Sequence, residues 1–572
     1  MSDAADQGYS TLDDQAQHLL ASATDGPQGY PFRALGYGDG VYYVLPAETL
    51  QIHVIPVAGM TSKSHLLSIA PVSWWETHFP AKSGAHWIAA ADAVMRWCEA
   101  AGVFDPAIVR GRGAWFDDGR AVLHLGHDLI VDSKTEYIQG FPTRYVYERK
   151  PRLEITSDIE PLDRAESRRL REIMDLLHWD RPVSAILAAG WTYLAPICGA
   201  LAWRPHLWVT GQKSSGKSWV LEQIIRPCLG ASAVIVQANS TEAGIRQQMR
   251  QDARPILFDE AEAESRRDHT RIQSVIELAR QASSENSAAI AKGTAGGTAQ
   301  LYRVRSMFLL GSINVSLTQA ADVSRFSLCG LQQPPQGPEG VRQFEALSAA
   351  VRETITPQWC ERLRARAYRD IPALRTNAIT LGKAVAEHLH DQRIGDQVGT
   401  LLAGAYGLKQ DGTITLESAR RMVGNLDWDA IGHDADEASD QRRLMDEILS
   451  AHIRYEGERT SYDRTVGELI RARTGEYVEG VDQRHADELL QRHGIRVVTR
   501  ERTEVVIANT HPWLRRVLDG TPWAVRWAHV LGYADGAQRS QLARMAGQSV
   551  RGVSVPVEWV LGSREPGEDD EG

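Results

Sequence analysis

Short runs of apolar residues alternating with polar ones (VYYVL, IHVIPV, AVLHL, DLIVD) occupy residues 31–135, interrupted by a helical pattern over Trp87 to Ala101. Period-two alternation of this kind predicts a small α+β domain. Within it, RGRGAWFDDGR (Arg110 to Arg120) mixes basic and aromatic residues. A hairpin turn with solvated arginines is the simpler expectation, and a nucleic-acid contact the alternative. From His206 onward the pattern changes. Five continuous apolar runs follow: HLWVT, SAVIVQ, RPILFD, RSMFLLGSI and SLCGL. Helical patterns over 217–225, 241–250 and 270–283 separate them. Strands buried on both faces read as unbroken apolar runs, so the segment 182–335 predicts an α/β core with a parallel sheet. Residues 336–440 read as a helical lid or adapter. Residues 441–560 give two helical patterns and then GIRVVTRERTEVVIA, the order expected of a winged helix. Its second helix docking DNA and a purely structural wing are both open at this point. A polar leader (1–30), a charged connector (136–181) and an acidic tail (561–572) complete the organisation.

Ser184 to Trp203 carries no charge and is long enough to cross a bilayer. It contains Gly190, Pro196 and Gly199 and runs directly into Arg204-Pro205 and an apolar strand. The expectation is a buried helix packed on the sheet, and no membrane partner.

Composition narrows the function classes. Hydrophobic residues make up 43% and charged residues 24%, as in ordinary globular chains. With 63 Lys+Arg against 73 Asp+Glu the net charge is -10, which excludes a general polybasic nucleic-acid coat. Any such contact has to be local. The five cysteines form no CxxC pair, so no zinc ribbon is written here. Lone thiols and a polar N-terminus without a secretory pattern lead us to expect a cytoplasmic protein.

The strongest chemical signal is GQKSSGKS, which comprises Gly211, Gln212, Lys213, Ser214, Ser215, Gly216, Lys217 and Ser218. It matches the phosphate-binding pattern G-x-x-x-x-G-K-[ST] between an expected strand and an expected helix. Main-chain N–H groups must wrap the phosphate oxygens, and small residues at Gly211 and Gly216 allow that approach. The Lys217 ammonium reaches the outer phosphates, and the Ser218 hydroxyl is suited to Mg²⁺. The strand ILFDE ends in Asp259, suited to Mg²⁺, and Glu260, suited to activating a water. Paired acids favour hydrolysis over transfer, which predicts an ATPase. Asn314 ends the next core strand, where an amide can hold the water or the γ-phosphate; a simple Asn turn is the alternative. Arg325 stands before the last strand and suits insertion into a neighbouring subunit's site, against the reading of a salt-bridged surface arginine. Finally, AAIAKGTAGGTAQLYRVR predicts two strands round a turn at Ala295 to Thr298. Lys292 on one flank is suited to gripping a phosphate backbone; solvent exposure is the plain alternative.

With these elements in order, the core from about Pro182 to Leu331 resembles an AAA+ ATPase. The hairpin before Asn314 and the arginine beyond it are similar to those of superfamily 3 helicases of viruses, phages and plasmids. The wider chain resembles primase/helicase-like proteins of prophages and other mobile elements, with WRPHLWVTGQKSSGKSWVL as the most characteristic stretch. That resemblance implies a ring homo-oligomer, expected to be a hexamer, that translocates on single-stranded DNA while hydrolysing ATP with Mg²⁺. It implies nucleotide binding and cleavage by Lys217, Ser218, Asp259 and Glu260. Asn314 would be the sensor, Arg325 the finger in trans and Lys292 the DNA contact. A primase or replication-origin partner fits the same picture. Priming by this chain does not, since no cysteine cluster exists and Asp434 to Glu437 is an isolated acidic turn. The competing expectation is an ATPase switch that assembles on DNA to regulate transcription, packaging or defence without processive unwinding.

Overall fold

The computed structural model describes residues 31–156, 158–237, 239–259, 266–285, 290–293, 299–313, 322, 324–428, 440–456, 461–499, 502–519, 521, 523–524 and 527–562. The leader, Glu260, Asn314, the Ala295 to Thr298 turn, the Asp434 to Glu437 turn and the acidic residues of the tail lie outside the described residues. The fold is mixed α/β. The chain separates into two compact units, Met1–Ser316 with Ser324–Leu426, and Leu317–Val323 with Asp427–Gly572.

The centre of the first unit is a five-stranded sheet. Its strands are β1 (His206–Gly211), β2 (Val234–Val236), β3 (Ile256–Phe258), β4 (Phe308–Ser312) and β5 (Phe326–Leu331). They lie in the order β2-β3-β4-β1-β5, with every neighbouring pair parallel. Leu207, Trp208, Val209, Phe308, Leu309 and Leu310 are fully buried, which is why these runs are apolar without alternation. All five expected strands form, in shorter versions at several ends.

The uncharged segment becomes α1 (Pro182–Leu194), continued by a 3₁₀ turn over Ala195–Ala200. It is long and apolar enough for a bilayer, yet 89% of its most apolar window is buried inside the protein. It lies against β5, where the Cys329 thiol donates to the Ser184 carbonyl at 3.7 Å.

After β1 the chain enters α2 (Lys217–Val220), a π turn at Leu221–Ile225 and α3 (Arg226–Leu229). The helical run thus passes the expected end at residue 225. Next come α4 (Glu242–Met249), capped by the Thr241 hydroxyl, and α5 (Arg266–Ala282). Beyond β5 the expected helical region forms α6 (Pro338–Thr354), α7 (Pro357–Arg369), α8 (Ile371–Leu389) and α9 (Gln392–Gly407).

The N-terminal residues build two small antiparallel sheets. One joins Phe32–Gly38, Val41–Pro46 and His53–Pro56 around a core of Phe32, Trp75 and Trp97. The other is a meander of Gly113–Asp117, Arg120–His124, Asp128–Val131 and Lys134–Tyr137. Its first turn is Asp118-Gly119, both with positive φ, as a two-residue hairpin needs. The arginines around this hairpin correct the expectation of solvated side chains. Arg110 is buried and clasps Asp117 from Nε at 2.9 Å and Nη2 at 3.0 Å. Arg112 donates to Asp252 from Nη2 at 2.7 Å, and Lys150 joins it at 2.9 Å. Burial alone would raise the Asp252 pKa, but Lys150 and Arg112 outweigh it and hold the carboxyl below its usual range. These cations staple the meander to the turn ahead of β3.

The second unit opens with helix Asp440–Ser450 and a hairpin, His452–Glu456 with Ser461–Thr465. Helices Val466–Thr474 and Gln483–Arg492 follow. Then comes a four-stranded antiparallel sheet in the order Ile495–Thr499, Thr503–Ala508, Gln548–Pro556, Gln538–Met545. The two helices and the GIRVVTRERTEVVIA strand pair match expectation. The first hairpin and the strand pair Gln538–Met545 and Gln548–Pro556 are additions.

Candidate nucleotide site

Strand β1 occupies a special place in its sheet. The chain leaves β1 toward the β2 edge, whereas it leaves β4 toward β5 on the other side. Loops that diverge in this way open a crevice outside the carboxyl ends of the strands, the usual ligand position in open α/β sheets. The loop Gln212–Gly216 lies there.

Its backbone explains its residues. A Cβ on Gly211 would strike the Leu331 carbonyl of β5 and come within 2.7 Å of Ser215 Oγ, so close packing demands glycine. Gly216 has φ of 90° and begins α2; nothing lies within 4 Å of where its Cβ would be. Backbone conformation, not crowding, requires glycine at that position. Ser214 also adopts positive φ, 67°, a strained conformation for a residue with a side chain. The loop is tied down by the Gln333 side-chain amide, which donates to the Lys213 carbonyl at 2.9 Å.

Lys217 folds back over this loop. Its Nζ donates to the Gly211 carbonyl at 2.6 Å and to the Gln212 carbonyl at 3.3 Å. The Ser218 hydroxyl group belongs to an exposed residue in the first turn of α2. Ser215 is 7% exposed, and its Oγ has no hydrogen-bond partner among the described residues.

Asp259 follows β3 directly, at the same carboxyl end of the sheet. Gly311 on β4 leaves space for it: a Cβ there would lie 3.0 Å from Asp259 Oδ1 and 3.0 Å from Leu221 Cδ1. The carboxylate therefore reaches across β4 toward the helical run behind the loop. The end of β4 is fixed to β1 by Trp208 Nε1 donating to Ser312 Oγ at 2.8 Å, and by Thr210 Oγ1 donating to the Ile313 carbonyl at 2.8 Å.

Two expected residues are not gathered here. Arg325 precedes β5, whose Phe326 pairs with His206 and whose Leu331 pairs with Gly211. That register puts Arg325 at the opposite end of the sheet, about 20 Å along the strand from the level of Gly211, where the loop of its own chain begins. Lys292 lies in strand Ile290–Gly293, paired antiparallel with Ala299–Tyr302 so that Lys292 faces Gln300 across the ladder. The hairpin forms where the pattern placed it. Among the described residues, no cluster of three or more His, Cys, Asp or Glu side chains is placed to hold a metal ion.

Sequence reading passed over a cavity of about 150 Å³ beside the loop, lined by Ser215, Gly216, Trp219, Leu177, Phe344 and Leu347 among others. Trp219 and Phe344 meet edge to face, with ring centroids 5.5 Å apart. Its walls come from three separated parts of the chain. Only Trp219, directly after the phosphate-loop pattern, carried a local hint.

No family model matches this chain, and no curated protein does. Among solved structures it is similar to the apo structure of the NrS-1 C-terminal region (305–718), with a TM-score of 0.31 and 10% identity, covering 94% of this chain and 98% of that one. It is also similar to an A-form apo structure of the same C-terminal region, at TM-score 0.29 with the same identity and coverage. Likeness at that level is too loose to transfer a site or an activity.

Proposed function

We propose that this chain is a P-loop ATPase with an AAA+-type core, acting as an ATP-dependent DNA helicase or translocase in the replication of a mobile genetic element. One observation carries the reading. The Lys217 ammonium lies folded into a glycine-bounded loop at the carboxyl end of an inner parallel strand, with the Asp259 carboxylate at the same sheet end. A triphosphate fits this arrangement. The positive φ values at Ser214 and Gly216 turn the loop, Gly211 keeps its wall clear, and Lys217 holds its charge over the main chain.

In this reading Lys217 releases the two loop carbonyls and pairs with the outer phosphates. Ser218 and Asp259 would hold Mg²⁺, which when bound supplies neutralising charge at the transferring phosphoryl group. Glu260 would take a proton from the attacking water, and Asn314 would orient that water. Arg325, remote from its own loop, would stabilise the developing charge in a neighbouring subunit, which calls for a ring, expected to be a hexamer. Lys292 on its hairpin would contact single-stranded DNA inside that ring. The segment 441–560, read as a winged helix, would assist DNA or partner contact.

The test is ATP turnover by the purified chain with and without single-stranded DNA, alongside particle size with and without nucleotide. Turnover that rises with DNA, on a particle that becomes a ring with ATP, is the expected result. A monomer whose turnover ignores DNA would remove the helicase reading.

A further inference from the structure

The cavity beside the loop holds a polar group whose orientation the structure fixes. Gln343, on α6, is one of its lining residues. Its Nε2 donates to Glu339 Oε1 at 2.8 Å. Glu339 also receives a hydrogen bond from Arg342, and hydrogen bonds from Arg342 and then Gln343 hold its carboxyl below the usual range. At neutral pH that carboxylate can only accept, so the Gln343 amide is oriented with its nitrogen toward Glu339. Its Oε1 is consequently a buried acceptor, and it has no partner among the described residues.

The surroundings define what suits this acceptor. Ser214, Ser215 and Gly216 form one side of the cavity, so an occupant is continuous with anything lying on the loop. Trp219, Leu177, Phe344 and Leu347 make much of the remaining wall apolar and partly aromatic, suited to a flat ring, with His178 also on the lining. A volume of about 150 Å³ is well below the roughly 300 Å³ of sites that enclose a drug-sized ligand, and is in keeping with a single base. Adenine carries an exocyclic amino group, a donor, where guanine carries a carbonyl oxygen, an acceptor. A buried acceptor facing an amino group is satisfied; facing a carbonyl it stays unpaired beside a second acceptor.

We propose that Gln343 is the base-selecting residue of the nucleotide site, with Oε1 accepting from the adenine amino group while the ring lies against the wall made by Trp219, Phe344 and Leu347. This rests on the reading that the loop binds a nucleoside triphosphate, and it adds a side-chain reason for ATP over GTP that the phosphate-loop pattern does not contain.

Competitive binding to the full chain separates the two ideas, with inorganic tripolyphosphate, ATP and GTP as probes. The expected result is that tripolyphosphate binds and that ATP binds at least about tenfold more tightly than GTP. Gln343→Leu should bring ATP and GTP within about threefold of each other without changing tripolyphosphate affinity. The ATP-to-GTP ratio within one preparation does not depend on the folded fraction, so a destabilised variant still reports. Equal affinity for ATP and GTP in the unaltered chain, or an unchanged ratio in Gln343→Leu, would overturn the base-selecting role while tripolyphosphate binding left the loop reading intact. Failure of all three probes to bind would overturn both.

Discussion

The two ends of strand β1 make an instructive pair. At the amino end the polar side chains of His206 and Arg204 are enclosed and matched. The His206 ring hydrogen-bonds through Nε2 to the Ala279 carbonyl at 2.6 Å and to Ser283 Oγ at 3.0 Å, and its Nδ1 accepts from the Phe308 N–H at 3.1 Å. Arg204 donates to the Ala282 and Leu201 carbonyls, and Gln397 Nε2 donates to the His206 carbonyl at 2.8 Å. Burial pushes the His206 pKa down to about 3 and the Arg204 pKa down to about 10. At the carboxyl end, five residues along the strand, the backbone turns through positive φ and Ser215 Oγ has no partner among the described residues. The Lys217 ammonium rests there on loop carbonyls. One strand thus carries a closed end that contributes stability and an open end arranged to receive something. Groups satisfied within the fold are poor ligand seekers, whereas buried groups left unpaired favour any ligand that pairs them.

Substitutions at the two ends should separate accordingly. The largest effect is expected from Lys217→Ala. Removing the ammonium that folds over the loop should lower ATP turnover by about 10³, while the unfolding midpoint in denaturant stays unchanged. Loss of stability instead would erase the contrast between the ends. Next is His206→Leu, which leaves the Phe308 N–H buried and unpaired and removes the imidazole partner of the Ala279 carbonyl and the Ser283 hydroxyl, which still bond each other at 3.3 Å. The expected cost is about 3 kcal/mol of unfolding free energy, read by chemical denaturation, with ATP affinity per folded molecule unaltered.

Acidification probes the closed end without mutation. Burial lowers His206 to about 3 and His124, on the meander, to about 4. As pH falls below the ordinary histidine value of about 6.5, the unfolded chain takes up protons that the folded chain refuses. Their contribution is complete above that value and declines toward the folded pKa. Between pH 7 and pH 5 each histidine should remove about 2 kcal/mol, which denaturant titrations at the two pH values would measure. A flat profile would mean that these rings protonate in place. The smallest expected effect is that of Gly216→Ala. With no atom near the added methyl, only the positive φ is penalised, at about 1 kcal/mol in the same denaturation assay. A markedly larger loss would show that the loop is sterically closed.

Much of this is legible in the sequence. The five core strands were legible because a sheet covered on both faces favours apolar side chains, so each strand is a mostly apolar run. The loop was legible because phosphate recognition by main-chain groups constrains spacing and glycine placement within eight residues. The hairpin of His452–Glu456 and Ser461–Thr465 was not. Its first strand buries only Ile453 and Tyr455, and its outward residues are polar, so the chain reads as a polar link. Arg110 and Arg112 were misread for a related reason. A guanidinium looks solvated in sequence, and its burial here depends on Asp117 and on Asp252, the latter 140 residues away.

Local rules therefore determined where strands, helices and the phosphate-type loop occur, because periodicity, backbone conformation and glycine spacing act over a few residues. Which polar groups became enclosed and which stayed unpaired was decided by the tertiary structure alone. Gly311 making way for Asp259, Leu331 requiring Gly211, and Gln343 meeting the cavity beside Ser215 all join segments remote in sequence. Hydrogen-bond satisfaction in a packed interior is a property of such meetings, and no single stretch of chain contains it.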